Sequence, residues 1–356
     1  MSLFSNGIVL TQYKEPAFSR PLVRFTNPRT DLFTIDSPPV SDISAIGGDE
    51  IIEIARIAQI VDESDGRLLY RKLSRAKNRN IPVVVDAVDD EPYVSSRINP
   101  LLKLRDEIAE GIELCKKVAV TDEVFIMAYK NLGNLEMRIP GAIEGYKISR
   151  LRGGYPARPQ ANLLKGKAKT LTISSGAVIH LCRAVKQSKK QTTVFVTVAG
   201  NCISTPMNME VSVGMTVQQV VDRCGLLDEP TRIIHGGSMT GIAVINTDRT
   251  VITNTTRAVL AIKDNQRKYN YSCIACGKCE KACPMGLSPM YINKLVGRKH
   301  YTAMESFDAH LCIGCGTCSY VCPSRIDVSG AVGYARDYAT RNFRAATGEE
   351  ADDFED

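Results

Sequence analysis

Two cysteine runs constrain this chain more than anything else in it. CIACGKCEKACP places Cys273, Cys276, Cys279 and Cys283, and CIGCGTCSYVCP places Cys312, Cys315, Cys318 and Cys322, in the same C-x2-C-x2-C-x3-C-P pattern. Three thiols two residues apart can face one centre only if the loop curls around it, and Gly277, Gly314 and Gly316 permit that close backbone approach. The fourth cysteine follows a longer step and is thrown outward, with Pro284 or Pro323 turning the chain away after it. Eight of the twelve cysteines lie in this stretch, so the fold around it must be organised by what they bind.

This run is the pattern of two-cluster bacterial ferredoxins, in which the fourth cysteine of each run ligates the other cluster. It assigns Cys273, Cys276, Cys279 and Cys322 to one [4Fe-4S] cluster, and Cys312, Cys315, Cys318 and Cys283 to a second. The competing reading is a pair of zinc knuckles, since C-x2-C pairs also hold tetrahedral zinc. Zinc needs four ligands only, which leaves the regular third cysteine and the following C-P unexplained in both copies. The remaining Cys115, Cys182, Cys202 and Cys224 stand singly in apolar or helical contexts and read as buried free thiols. His180, His235, His300 and His310 have no partner at metal-ligand spacing and read as packing or surface residues; His310, two residues before Cys312, is the one placed to tune a cluster.

At 356 residues the chain is too long for a ferredoxin alone, so the cysteine module is attached to something larger. With 44% apolar and 24% charged residues the composition is that of a globular protein. The net charge of +6 is modest, and the basic run RKLSRAKNR is offset by DAVDDE and EEADDFED, which argues against a nucleic-acid partner. No run of 18 apolar residues occurs and the start carries no basic region followed by an apolar stretch, so no transmembrane segment and a cytoplasmic location are expected. Peripheral docking onto a membrane complex and oligomerisation are left open.

The fold class expected is α/β plus α+β. Residues 1–44, rich in proline, read as an extended wrapping segment with little core of its own. The pattern from Ile51 to Leu73 reads as helical, IPVVVDAV as a buried strand, Leu101, Leu104, Ile108, Ile112 and Cys115 as one helix face, and EVFIMAY as another buried strand. Strand, helix, strand implies a parallel layer, giving an α/β domain over 45–190 that closes on KQSKKQ, an exposed turn or linker. Residues 191–264 alternate as strands around a helix that Thr216 would cap, the size of a β-grasp domain. The two-cluster ferredoxin-like domain takes 265–345, with a short helix over YINKLVGR, and 346–356 form an acidic tail.

From about residue 80 to 330 the order of motifs resembles RnfC, a component of the Rnf electron-transport complex, and the related PduS-type cobalamin reductases. The matching segments are the cysteine runs with CPMGL and CPSRI, VTVAGNCISTPMNMEVSVGMTVQQVVDRCG, IIHGGSMTG and DAVDDEPYVSS. The resemblance implies an Nqo1/RnfC-like α/β domain, an SLBB-type (soluble-ligand-binding) β-grasp domain and redox protein partners. It also implies a flavin site at the acidic E-P-Y segment. There the chain departs from the family: Asp86 and Asp89 replace the usual Asn and Glu, and only Glu91, Pro92 and Tyr93 match. The glycine-rich phosphate loop has a single candidate, AIGGDEI, whose Asp49 and Glu50 would repel a phosphate. These departures argue against FMN and NADH binding. The reading is an electron-transfer protein passing electrons between partner centres; a flavin-dependent NADH or ferredoxin oxidoreductase, or a PduS-like cobalamin reductase, is the alternative.

Overall fold

A computed structural model describes residues 20–129, 139–151, 154–157, 169–263, 271–300 and 307–347. Two compact units divide them: residues 20–151 with 157–263, and residues 154–156 with 271–300 and 307–347. The expectations for residues 1–19, the acidic tail from 348, and most of the RLRGGYPARPQ loop fall outside the described residues.

The larger unit opens with strand β1 (Leu22–Phe25) and helices α1 (Gly48–Ile57) and α2 (Leu69–Ala76). Strand β2 (Val83–Ala87) follows, then α3 (Ile98–Lys103), α4 (Arg105–Ala119), β3 (Val124–Tyr129), β4 (Ala142–Ile143), β5 (Tyr146–Leu151), β6 (Leu171–Ser174) and α5 (Ser175–Gln187). The sheet runs β4-β5-β3-β2-β6 and is parallel except where β4 turns back on β5. Every residue of β2 is buried because both faces are covered: Val83, Val85 and Ala87 join the main core, and Val84 packs with Met127 and Tyr129 on the other side. A run of β-branched residues without alternation is what a doubly covered parallel strand requires.

Two expected helices are each broken in two. The apolar period from Ile51 to Leu73 is continuous, but the turn at residues 58–68 divides it, closed by Gly66 N–H donating to the Asp62 carbonyl at 2.8 Å and by Lys72 reaching the buried Asp62 carboxylate at 2.8 Å. Likewise Leu104 leaves helical geometry (φ −114°, ψ 54°) between α3 and α4, while Leu101, Ile108, Ile112 and Cys115 remain fully buried on one side. Periodicity registers the buried face and not the interruption. The KQSKKQ segment is also more than a linker: Ser188 is buried and Lys189 bridges to Thr34 of the leading segment.

The rest of this unit is a six-stranded sheet, β1-β8-β7-β11-β9-β10, built from β7 (Thr193–Ala199), β8 (Met207–Ser212), β9 (Arg232–His235), β10 (Ile242–Val244) and β11 (Ala258–Ile262). Helix α6 (Val217–Cys224) packs on it; Thr216 caps α6 as expected, with Gln219 completing a reciprocal capping box. The leading segment therefore contributes a strand, β1, parallel to β8 at the sheet edge.

The smaller unit holds α7 (Lys278–Ala282), α8 (Pro289–Gly297), α9 (Thr317–Tyr320) and α10 (Val328–Thr347). Its core is small: Ile292, Ala309, Val328, Val332 and Ala335, against which Cys312, Cys318 and Cys322 also pack. A core of this size needs further cross-linking, and thiolate–metal bonds are the available kind.

Candidate iron-sulfur centre

The two cysteine runs fold as copies of one another. In each, the residue two places after the first cysteine is left-handed, Ala275 at φ 53° and Gly314 at φ 67°, and its N–H points back to the sulfur of that cysteine at 3.4 Å. Two residues later Gly277 (φ 69°) and Gly316 (φ 72°), also left-handed, start the short helices α7 and α9. Three residues past the fourth cysteine a further left-handed residue turns the chain, Gly286 in one copy and Arg325 in the other. The loops thus curl as the spacing demands, with glycine at some of these positions and a strained L-residue at the rest.

A single hollow is lined by Cys273, Cys276 and Cys279 of the first run and by Cys322 of the second. Cys283 in turn lies close enough to Cys312, Cys315 and Cys318 for its charge to bear on all three. Burial pushes the thiols of Cys279, Cys312, Cys315 and Cys318 up, that of Cys318 to about 12 with Cys315 and Cys312 adding to it, so a bound metal must displace protons from them. Among the described residues, no three such side chains gather tightly enough for a single metal ion. Four soft thiolates from interleaved runs and backbone N–H groups aimed at sulfur fit an iron-sulfur cubane.

The two sets differ in exposure. Cys273 and Cys276 are exposed, whereas Cys283 is buried and Cys312, Cys315 and Cys318 are half-buried. His310 stands exposed; the cation set beside Cys312 is Arg336 of α10, whose guanidinium lies against Gly314 and favours the ionised thiolate. Sequence spacing could not find Arg336, because α10 returns over the second run only once the unit has folded. Cys115, Cys182, Cys202 and Cys224 are buried free thiols.

In the larger unit the acidic segment and the start of α5 are where an α/β sheet would receive a phosphate, at the carboxyl ends of strands and a helix amino terminus. Here carboxylates fill that position. Glu63 accepts from Ser174 Oγ and lies against Gly176 at the start of α5, and it pairs at 3.9 Å with the fully buried Arg97. Asp86 pairs with Arg97 at 3.2 Å, and Asp89 accepts from the N–H groups of Arg97 and Ile98 at 2.8 and 3.0 Å. Glu91 accepts from Met239 N–H, Thr240 N–H and Thr240 Oγ1 at 2.7, 3.1 and 2.8 Å and pairs with Arg257. A side chain on Gly237 would collide with that carboxylate, which explains the glycine in IIHGGSMTG. In AIGGDEI, Gly48 begins α1 and Asp49 and Glu50 sit in its first turn, an ordinary charge-matched helix start. These residues do not fit the phosphates of a flavin or nicotinamide nucleotide.

Fold and site together define an iron-sulfur protein with an α/β layer, a β-grasp sheet and a dicluster module. An SLBB domain matches residues 195–243, and two descriptions of a 4Fe-4S dicluster domain match 272–326 and 244–288, overlapping at the first cysteine run. Curated relatives include the C component of a proton-translocating ferredoxin:NAD(+) oxidoreductase complex from Clostridium ljungdahlii, 28% identical over 70% of this chain and 59% of the relative. The corresponding C component of an ion-translocating oxidoreductase complex from Rhodobacter capsulatus is 27% identical over 62% of this chain and 46% of its own length. The chain is similar to these C components, and it spans about half their length. Among solved structures, an NAD+-reducing [NiFe]-hydrogenase in the H2-reduced state shares the fold with a TM-score of 0.57 at 12% identity, over 94% of this chain and 73% of that one.

Proposed function

We propose that this chain is an electron-transfer subunit of RnfC type that works without flavin. Cys273, Cys276, Cys279 and Cys322 hold one [4Fe-4S] cluster and Cys283, Cys312, Cys315 and Cys318 the other. When bound, the two clusters supply one-electron redox steps between a donor and an acceptor protein. The chain's own residues fix where this happens: left-handed loops present the thiolates, the N–H groups of Ala275 and Gly314 donate to sulfur, and Arg336 places a positive charge beside the second set. The observation that carries the reading is the cavity shared by three cysteines of one run and Cys322 of the other. Residues 45–190 and 191–264 serve as scaffold and docking surface, 1–44 as a wrapping segment, 265–345 as the cluster domain and 346–356 as an acidic tail.

The relatives are named as subunits of ion-translocating complexes, so the partners proposed are redox subunits of such a complex, met by peripheral docking from the cytoplasm. Among the described residues no helix is long and apolar enough to cross a membrane. Anaerobic purification followed by iron and flavin quantification on one sample tests the proposal. It expects about eight iron atoms per chain and no flavin. Stoichiometric FMN, with rapid bleaching by NADH alone, would support the oxidoreductase alternative instead.

A further inference from the structure

The two cysteine runs repeat one another in backbone but not in the side chains beside their second cysteine. Where the first run has Lys278, exposed to solvent, the second has Thr317, fully buried. Thr317 Oγ1 lies 3.2 Å from Cys315 Sγ, and since a sulfur that is ionised or bound to iron can only accept, the hydroxyl is the donor. Burial pushes the Cys315 thiol up, while the side chain and the backbone of Thr317 both act against it, favouring negative charge on that sulfur. A second hydroxyl reaches the same residue from its other end. Tyr155, in the short segment between β5 and β6 that groups with the cysteine unit, is 3% exposed, and its Oη donates to the Cys315 carbonyl at 2.7 Å.

Thr317 is not needed to close the loop, because the first run reaches the same left-handed turns and short helix with Lys278 in that place. What the two hydroxyls change is charge. Reduction adds one electron to a cluster and leaves its sulfurs more negative, so a donor aimed at one of those sulfurs stabilises the reduced state more than the oxidised one and raises the potential. Thr317 does this directly. Tyr155 does it through the backbone: a hydroxyl on the carbonyl polarises the peptide that joins Cys315 to Gly316 and fixes its orientation. We propose that Tyr155 and Thr317 are positioning residues for the second cluster, their two hydroxyls holding its potential above what its thiolates alone would give. The proposal rests on the electron-transfer reading and adds to it a cause for the two clusters to differ.

Redox titration of the anaerobically purified full chain, read by low-temperature EPR, tests this with Thr317→Val, Thr317→Ser and Tyr155→Phe. Thr317→Val keeps the shape and loses the hydroxyl, and is expected to lower one midpoint and leave the other. The expected change is about fivefold in the reduction equilibrium, one hydrogen bond's worth, or about 40 mV at about 59 mV per tenfold. Tyr155→Phe should lower the same midpoint by a smaller amount, and Thr317→Ser, which restores the donor, should keep the value of the unaltered chain. Unmoved midpoints in Thr317→Val or Tyr155→Phe with both clusters present, or equal shifts of both centres, would overturn the proposal, since residues that only pack would alter unfolding and not potential. Tyr155→Phe decides the matter alone if Thr317→Val does not assemble its clusters. An unaltered chain without cluster signals would sink the electron-transfer reading, and this proposal with it.

Discussion

Ala275 carries a cost that its counterpart Gly314 does not. Both hold a left-handed backbone beside a cysteine sulfur, and an L-residue there is strained by about 1 kcal/mol. Ala275→Gly should therefore delay chaotrope-induced loss of the first cluster under anaerobic conditions, by up to about 1 kcal/mol; an earlier midpoint would mean that Ala275 packs against something worth more than its strain. Arg336 is the other residue with a definite expectation. Removing its charge with Arg336→Gln should lower the midpoint potential of one cluster and leave the other, by on the order of tens of millivolts after solvent screening. An EPR redox titration reads both clusters at once, and equal shifts would refute the assignment of Arg336 to the second set. That Cys322 would join Cys273, Cys276 and Cys279 was legible from the sequence because the spacing within each run is local and repeated; Arg336 was not, because its contact with Gly314 exists only after folding.

At the scale of elements, the acid-bearing turn after β2 and the glycine loop after β9 are fastened by Glu91. Its carboxylate is 4% exposed and satisfies two backbone N–H groups, one hydroxyl and Arg257. Glu91→Gln removes the charge while keeping the shape, takes from Arg257 its ion-pair partner while Asp89 and Asp90 remain near it, and should destabilise the larger unit by roughly 2 kcal/mol. Thermal unfolding followed by circular dichroism checks this; a change under about 0.5 kcal/mol, the ordinary range of surface substitutions, would show that the fastening matters little. The buried strand β2 and the capping of α6 could be read from a β-branched run and from Thr216 with Gln219, since those signals reside in neighbouring residues; β3 is a strand as expected but is buried only from Ile126 on, Phe125 being 46% exposed. The break between α1 and α2 could not, because Asp62 makes it with Lys72 while the apolar period runs on unaltered. In AIGGDEI two glycines suit a phosphate loop and a helix start alike, and Asp49 and Glu50, which the sequence already set against a phosphate, fall in the first turn of α1.

For the whole molecule, a chain that conducts must keep its two clusters unlike enough to tell apart and near enough to exchange electrons. The first set is the more open, with Cys273 and Cys276 exposed against the buried Cys283 of the second. Exposure to air or to an iron chelator should accordingly strip the clusters in two stages, with a plateau near about four irons per chain, the first-run cluster going first. Loss in a single step, or loss of the second-run cluster first, would contradict that asymmetry. The central claim, that interleaved cysteines hold two cubanes side by side, is tested most directly by low-temperature EPR of the dithionite-reduced, anaerobically purified chain. The account predicts a broadened spectrum of two magnetically interacting [4Fe-4S] centres integrating to about two spins per chain. A colourless, zinc-loaded protein, or one isolated spin with no interaction, would contradict it.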